Sequence, residues 1–197
     1  MVPVGEPVGI GHGHGLPGAG AGRSSSQAAS TGRRILAAEV LGDGAMAGAI
    51  GASVIALFFL LIDSARHEPL FTPSVMASAL LRGASPAQGA AVDLSMVAAY
   101  SLLHAAAFIG VGVLAAWATA MRHASVATFT LAIALFATLE AGFLVTCIAV
   151  DRSLLDVVGV APATVGNLLA AIGMAAYLHH WPHDSIEERE GHRTPEV

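Results

Sequence analysis

The sequence predicts an all-α fold: an integral membrane four-helix bundle with a short interfacial helix after the first span. Three observations predict it. The 197 residues are 55% hydrophobic and only 12% charged, with a mean hydropathy of +0.69; a soluble domain carries roughly 25% charged residues. The apolar residues gather into four runs, near 44–62, 94–121, 124–150 and 157–178, each close to or above the ~20 residues that take a helix through a ~30 Å hydrocarbon core. Three of these runs carry one lone polar residue each, His104, Glu140 and Asn167, at what counts as a common depth. Backbone N–H and C=O groups in lipid must pair inside their own segment, so helix is the state of every run.

The chain divides into a tail at 1–33, a four-span domain at 34–181 and a polar tail at 182–197. The first tail is rich in Gly, Pro, Ala and Ser, with GHGHG at 11–15 and three serines at 24–26. It buries too little apolar surface to offset chain entropy and reads as disordered. It lacks the basic-then-apolar order of a signal peptide, so the first span reads as a retained anchor. The paired histidines His12 and His14 are a weak metal motif without further ligands.

Residues 33–43 form a polar lead-in to the first span. Gly44, Gly48, Ala52 and Ala56 then recur every four residues, a small-residue stripe that admits a neighbouring helix at close range. Packing inside the monomer is the plainer use of it; a dimer seam is the other. Residues 63–93 are the longest connection. Thr72-Pro73 suits a helix start, with Thr as cap and Pro at the first position, and Gly83 suits its end. This helix is too short to span and is expected at the membrane surface or over the bundle mouth. A second turn falls at 86–89. The connections at Arg122-His123 and 151–156 are short, which makes the spans they join antiparallel neighbours.

All nine basic residues are Arg. With the Ala and Gly richness, this points to a GC-rich bacterial genome and a bacterial plasma (inner) membrane. Arg23, Arg33, Arg34, Arg122, Arg189 and Arg193 fall on one side of the spans, and Arg66, Arg82 and Arg152 on the other. Arginine bias puts the richer side, with both termini, in the cytoplasm. Trp117, Tyr177 and Trp181 sit near that boundary, as an aromatic belt would. The net charge of −5 offers no basic face for nucleic acid. Cys147 is the only cysteine, which excludes an intramolecular disulfide.

His104 lies ten residues after Leu94, Glu140 ten before Val150 and Asn167 ten after Val157. Each offset is ~15 Å of helix, half the hydrocarbon thickness. Polar groups at that depth turn inward and seek partners, and His104 with Glu140 is the natural pair, bridged by Asn167. Ser101 and Thr164, one turn away, are supporting residues. Asp63 and Arg66 mark the outer mouth, read as a solvated rim. This set suits either a hydrogen-bond cluster that fixes helix register or a site for a proton, a small polar ligand, a quinone, haem or a metal ion. No cofactor is specified. His179, His180 and His183 around Trp181 suit headgroup contact better than metal binding. No hydrolase, zincin, Walker or dinucleotide motif occurs.

The run Leu57-Phe58-Phe59-Leu60-Leu61-Ile62-Asp63, then Pro69-Leu70-Phe71-Thr72-Pro73 and the segment 75–81, resembles small, uncharacterised four-span bacterial membrane proteins. In these, the first span ends at an acidic residue before a PL-x-TP turn. The resemblance covers about 44–178 and implies a four-helix membrane fold without an activity. The expectation is therefore a non-enzymatic accessory or structural membrane component. Its partners are the lipid bilayer and either a second copy or a larger membrane complex. The alternative is a small transport, proton-transfer or redox module built on His104, Glu140 and Asn167.

Overall fold

The computed structural model describes the backbone of residues 21–85, 92–121 and 127–191, with side chains from 37 to 180 of these. The GHGHG motif, the turn at 86–89, the connection at Arg122-His123 and the side chains of Trp181 and His183 lie outside the described residues. Every described element is helical: α1 (Ala21–Ala65), α2 (Phe71–Arg82), α3 (Leu94–Met121), α4 (Thr128–Val150), a π-helical turn (Leu155–Gly159) and α5 (Val160–Gly191). Residues 1–37 and 38–197 are two compact units. In the first, the described backbone is the start of α1, so helix takes in residues 21–33, which composition assigns to the tail. The second contains the bundle.

Among the described residues, four helical stretches are long and apolar enough to cross a membrane: Ala37–Ala65, Leu94–Met121, Thr128–Val150 and Leu155–His180. Their outward faces are apolar as well. Leu102 is 74% exposed and Phe129 76%, which is the pattern of side chains meant for acyl chains, not water.

Small residues bring the helices together. A Cβ placed on Gly48 would collide with the backbone of Phe108 and Ile109, and one on Gly112 with the backbone of Gly44 and Gly48. The stripe that begins at Gly44 is thus used inside the monomer, as the seam between α1 and α3. The opposite flank of α1 meets α5: Gly51 faces Met174, Gly166 faces Ile55 and Phe58, and Gly173 faces Ile50. Rising numbers on α1 meet falling numbers on both neighbours, so both pairs are antiparallel. Helix α5 then packs closely on α4, whereas α3 and α4 touch only sparsely. The order around the bundle is α3, α1, α5, α4, with a gap between the last and the first.

Helix α2 closes one end. Val75, Met76 and Ala79 form a buried cluster with Cys147, Leu154 and Val158, flanked by Phe59, Tyr100 and Phe143. It is a plug across the bundle mouth more than a surface helix. Its start differs from the expected Thr72 cap: the N-cap is Leu70 and Thr72 is the second helical residue. Each early donor is still met. Phe71 N–H goes to Glu68 O and Ser74 N–H to Leu70 O, Thr72 N–H goes to Asp63 Oδ2 at 2.8 Å, and Pro73 has no N–H to satisfy. The turn into α2 places His67 and Leu70 at φ 64° and 68°, a left-handed conformation costly for side chains with a Cβ. At the far end Gly83 takes φ 63°, where glycine is unstrained.

Candidate functional site

Glu140 and Asn167 meet. The Thr164 hydroxyl donates to Glu140 Oε1 at 2.7 Å, and Asn167 Nδ2 donates to Glu140 Oε2 at 2.9 Å. Thr164 and Asn167 are three residues apart on α5, so one helical face offers two donors to one carboxylate. Asn167 is buried, at 7% exposure. The group is a bidentate clasp between α4 and α5.

His104 stands apart from this clasp. Its Nε2 is buried and has no hydrogen-bond partner. The expected bond to Glu140 does not form, because Glu140 spends both oxygens on α5 while His104 faces α1 and the gap beside α4. The ring belongs instead to an aromatic ladder on α3. Tyr100 and His104 have centroids 5.8 Å apart, and His104 and Phe108 4.6 Å apart. The four-residue spacing of these three rings was visible in the sequence, but depth counting, which looks for polar residues, passes over it.

The gap between α3 and α4 is a cleft of about 410 Å³, roofed by Met76 and Leu80 of α2 and lined by Tyr100, His104, Phe143 and Asn167 among others. A second hollow of about 340 Å³ lies on the α1 side of the same ladder, with Ser53, Ser101 and Pro73 on its wall. Ser101 donates back to Val97 O at 2.7 Å and supports neither His104 nor Glu140. His104 therefore divides two hollows, and it shares the larger with Asn167.

Asp63 was expected on a solvated rim and is instead wholly buried, at 0% exposure. Besides the Thr72 N–H, its carboxylate accepts the Thr72 hydroxyl at 2.8 Å. The positive end of the α2 dipole and these two donors stabilise the charge in place of water. Arg66 stays exposed. The residues at the mouth thus split into a structural cap and a solvated cation.

Two carboxylates outside the spans are also committed. Asp93 is held down to about 2 by the Ser95 hydroxyl first and by Arg82 next; the Arg82 ion pair is 2.8 Å long. Asp151 lies below its ordinary value chiefly because its carboxylate accepts the Ser153 N–H, at 2.9 Å. Among the described residues no three His, Cys, Asp or Glu side chains converge as metal ligands would.

No protein-family model, no curated protein and no solved structure matches this chain. The class that its fold defines is a helical bundle with four apolar helices of membrane-crossing length.

Proposed function

We propose that the protein is a non-enzymatic structural or accessory component of the bacterial plasma membrane, with both termini cytoplasmic and a larger membrane assembly or a second copy as its partner. The supporting observation is the Glu140 clasp. A carboxylate among apolar helices has both oxygens occupied by donors of one neighbouring helix, an arrangement suited to holding α4 on α5 and not to passing a proton onward. Arginine bias supports the orientation.

The test compares wild type with Glu140→Gln in proteoliposomes under a pH gradient. Gln keeps an oxygen that accepts a donor, so the variant should fold, and neither protein should move protons faster than empty liposomes. Wild-type proton flux that disappears in the variant would overturn the structural reading. Reporter fusions at residues 153 and 197 test orientation, the first expected outside and the second in the cytoplasm.

One observation favours a second reading, a small-molecule module: the cleft of about 410 Å³ that His104 and Asn167 share.

A further inference from the structure

We propose that the cleft between α3 and α4 holds one acyl chain of a membrane phospholipid, lying along the two helices beneath α2. The inference deepens the small-molecule reading, rests on the four helices spanning a membrane, and is independent of the Glu140 clasp.

The shape of the cleft suits a chain. Its α3 wall runs from Tyr100 to Val111, ~16 Å of helix. That is close to the depth of one leaflet in a ~30 Å hydrocarbon core. Met76 and Leu80 of α2 close one end. The side is open: Leu103 and Ala107 of α3 and Thr138 and Gly142 of α4 line the cleft and are exposed. In a membrane this opening faces lipid. A helix of a second copy does not fit between the walls. Two helices with a third wedged between them stand about 16–20 Å apart, twice the separation of a packed pair, yet α3 and α4 still touch.

The chemistry of the wall selects hydrocarbon. The Thr138 hydroxyl donates to Ala134 O at 2.8 Å and the Thr146 hydroxyl to Gly142 O at 2.8 Å. The Thr72 hydroxyl donates to Asp63 Oδ1 and Asn167 Nδ2 to Glu140. His104 Nε2 is buried out of a ligand's reach. What the lining offers is chiefly apolar, with Leu80, Leu103 and Phe143 on it. A water needs two to four polar partners, and these donors are already placed. An empty space of about 410 Å³ would forfeit dispersion contacts along its whole lining. A flexible acyl chain restores them and asks for no hydrogen bond.

Gly142 supplies the test. A Cβ there meets nothing within 4 Å, so leucine enters the cleft and also improves helix propensity. Gly110 is equally open and lies off the cleft, which makes Gly110→Leu the control. The full chain, extracted from membranes in detergent, is incubated with dioleoyl phosphatidylcholine and weighed by native mass spectrometry. Wild type and Gly110→Leu should each carry one lipid, and Gly142→Leu about tenfold less, the penalty of overpacking one site. Dioleoyl phosphatidylglycerol should bind as well as the choline lipid, because the wall reads the chain. Dihexanoyl phosphatidylcholine, too short to fill the groove, should not bind. If Gly142→Leu does not fold, Thr138→Leu on the same rim takes its place with the same expected loss. Lipid retained in full by the cleft-filled variant, none on wild type, binding of the short lipid, a strong preference for one headgroup, or a lipid-free dimer that Gly142→Leu disperses would each overturn the proposal. A chain recovered in the soluble fraction would overturn the membrane reading together with it.

Discussion

Replacing Glu140 with Leu strips two donors of their acceptor at once. The Thr164 hydroxyl, at 2.7 Å, and Asn167 Nδ2, at 2.9 Å, would remain between two packed helices with nothing to receive them. An orphaned buried polar group costs about 1–3 kcal/mol. Thr164 can turn its hydroxyl back to its own helix, so most of the loss falls on Asn167. Interhelical pairs in membranes couple by about 0.6 kcal/mol on average, with a maximum near 1.7. A carboxylate acceptor belongs toward the upper part of that range. Glu140→Leu should thus lose about 1–3 kcal/mol, and the Glu140→Leu/Asn167→Leu double mutant should recover about 1 kcal/mol of the sum of the single losses. The pair His104→Leu and Glu140→Leu should add within about 0.5 kcal/mol, as sites without shared partners do. The assay is reversible unfolding in mixed micelles, followed by circular dichroism. Additivity for Glu140 with Asn167, or a larger coupling for Glu140 with His104, would refute the assignment of the clasp to α4 and α5.

Three further outcomes are expected. Gly48→Ala drives a methyl into the Ile109 backbone and should cost about 1–3 kcal/mol by overpacking, while Gly42→Ala, with nothing within 4 Å, should be neutral or gain up to about 1 kcal/mol of helix propensity; thermal unfolding distinguishes them. Asp63→Ala should loosen α2 by about 0.5–2 kcal/mol, the worth of a helix cap, read as faster hydrogen exchange across 71–82, with Thr72→Val showing a smaller effect because the backbone bond to Asp63 survives. Asp93 has a folded-state pKa of about 2 against an ordinary 3.8, so its stabilisation is complete above about pH 4 and declines as pH falls toward 2; an acid titration should lose that component in Asp93→Asn, whereas a wild-type profile in the variant would contradict the assignment.

The spans were legible because length and hydropathy survive any error in helix rotation. The same holds for the stripe at Gly44 and Gly48, whose regular spacing announces a close neighbour without naming it. The partners of His104 were not legible. Counting ten residues from a boundary fixes depth to within a turn, but each residue also rotates the side chain by about 100°. A boundary error of two residues therefore reverses the face. Which helix lies beside which is also absent from a depth count, and here Glu140 meets α5 instead of α3. The burial of Asp63 is hidden for a related reason: a carboxylate at the end of an apolar run looks solvated until the next helix, folding back, presents Thr72 to it.

The sideways opening of the cleft changes which concentration matters. A site reached from water responds to the dissolved amount of its ligand. One reached past Leu103 and Ala107 responds to the amount in the membrane leaflet, already enriched by partition. Each methylene added to a ligand's tail deepens that enrichment by about 0.8 kcal/mol, with no new protein contact. For any ligand of such a cleft, apparent potency measured in bulk would therefore climb with chain length.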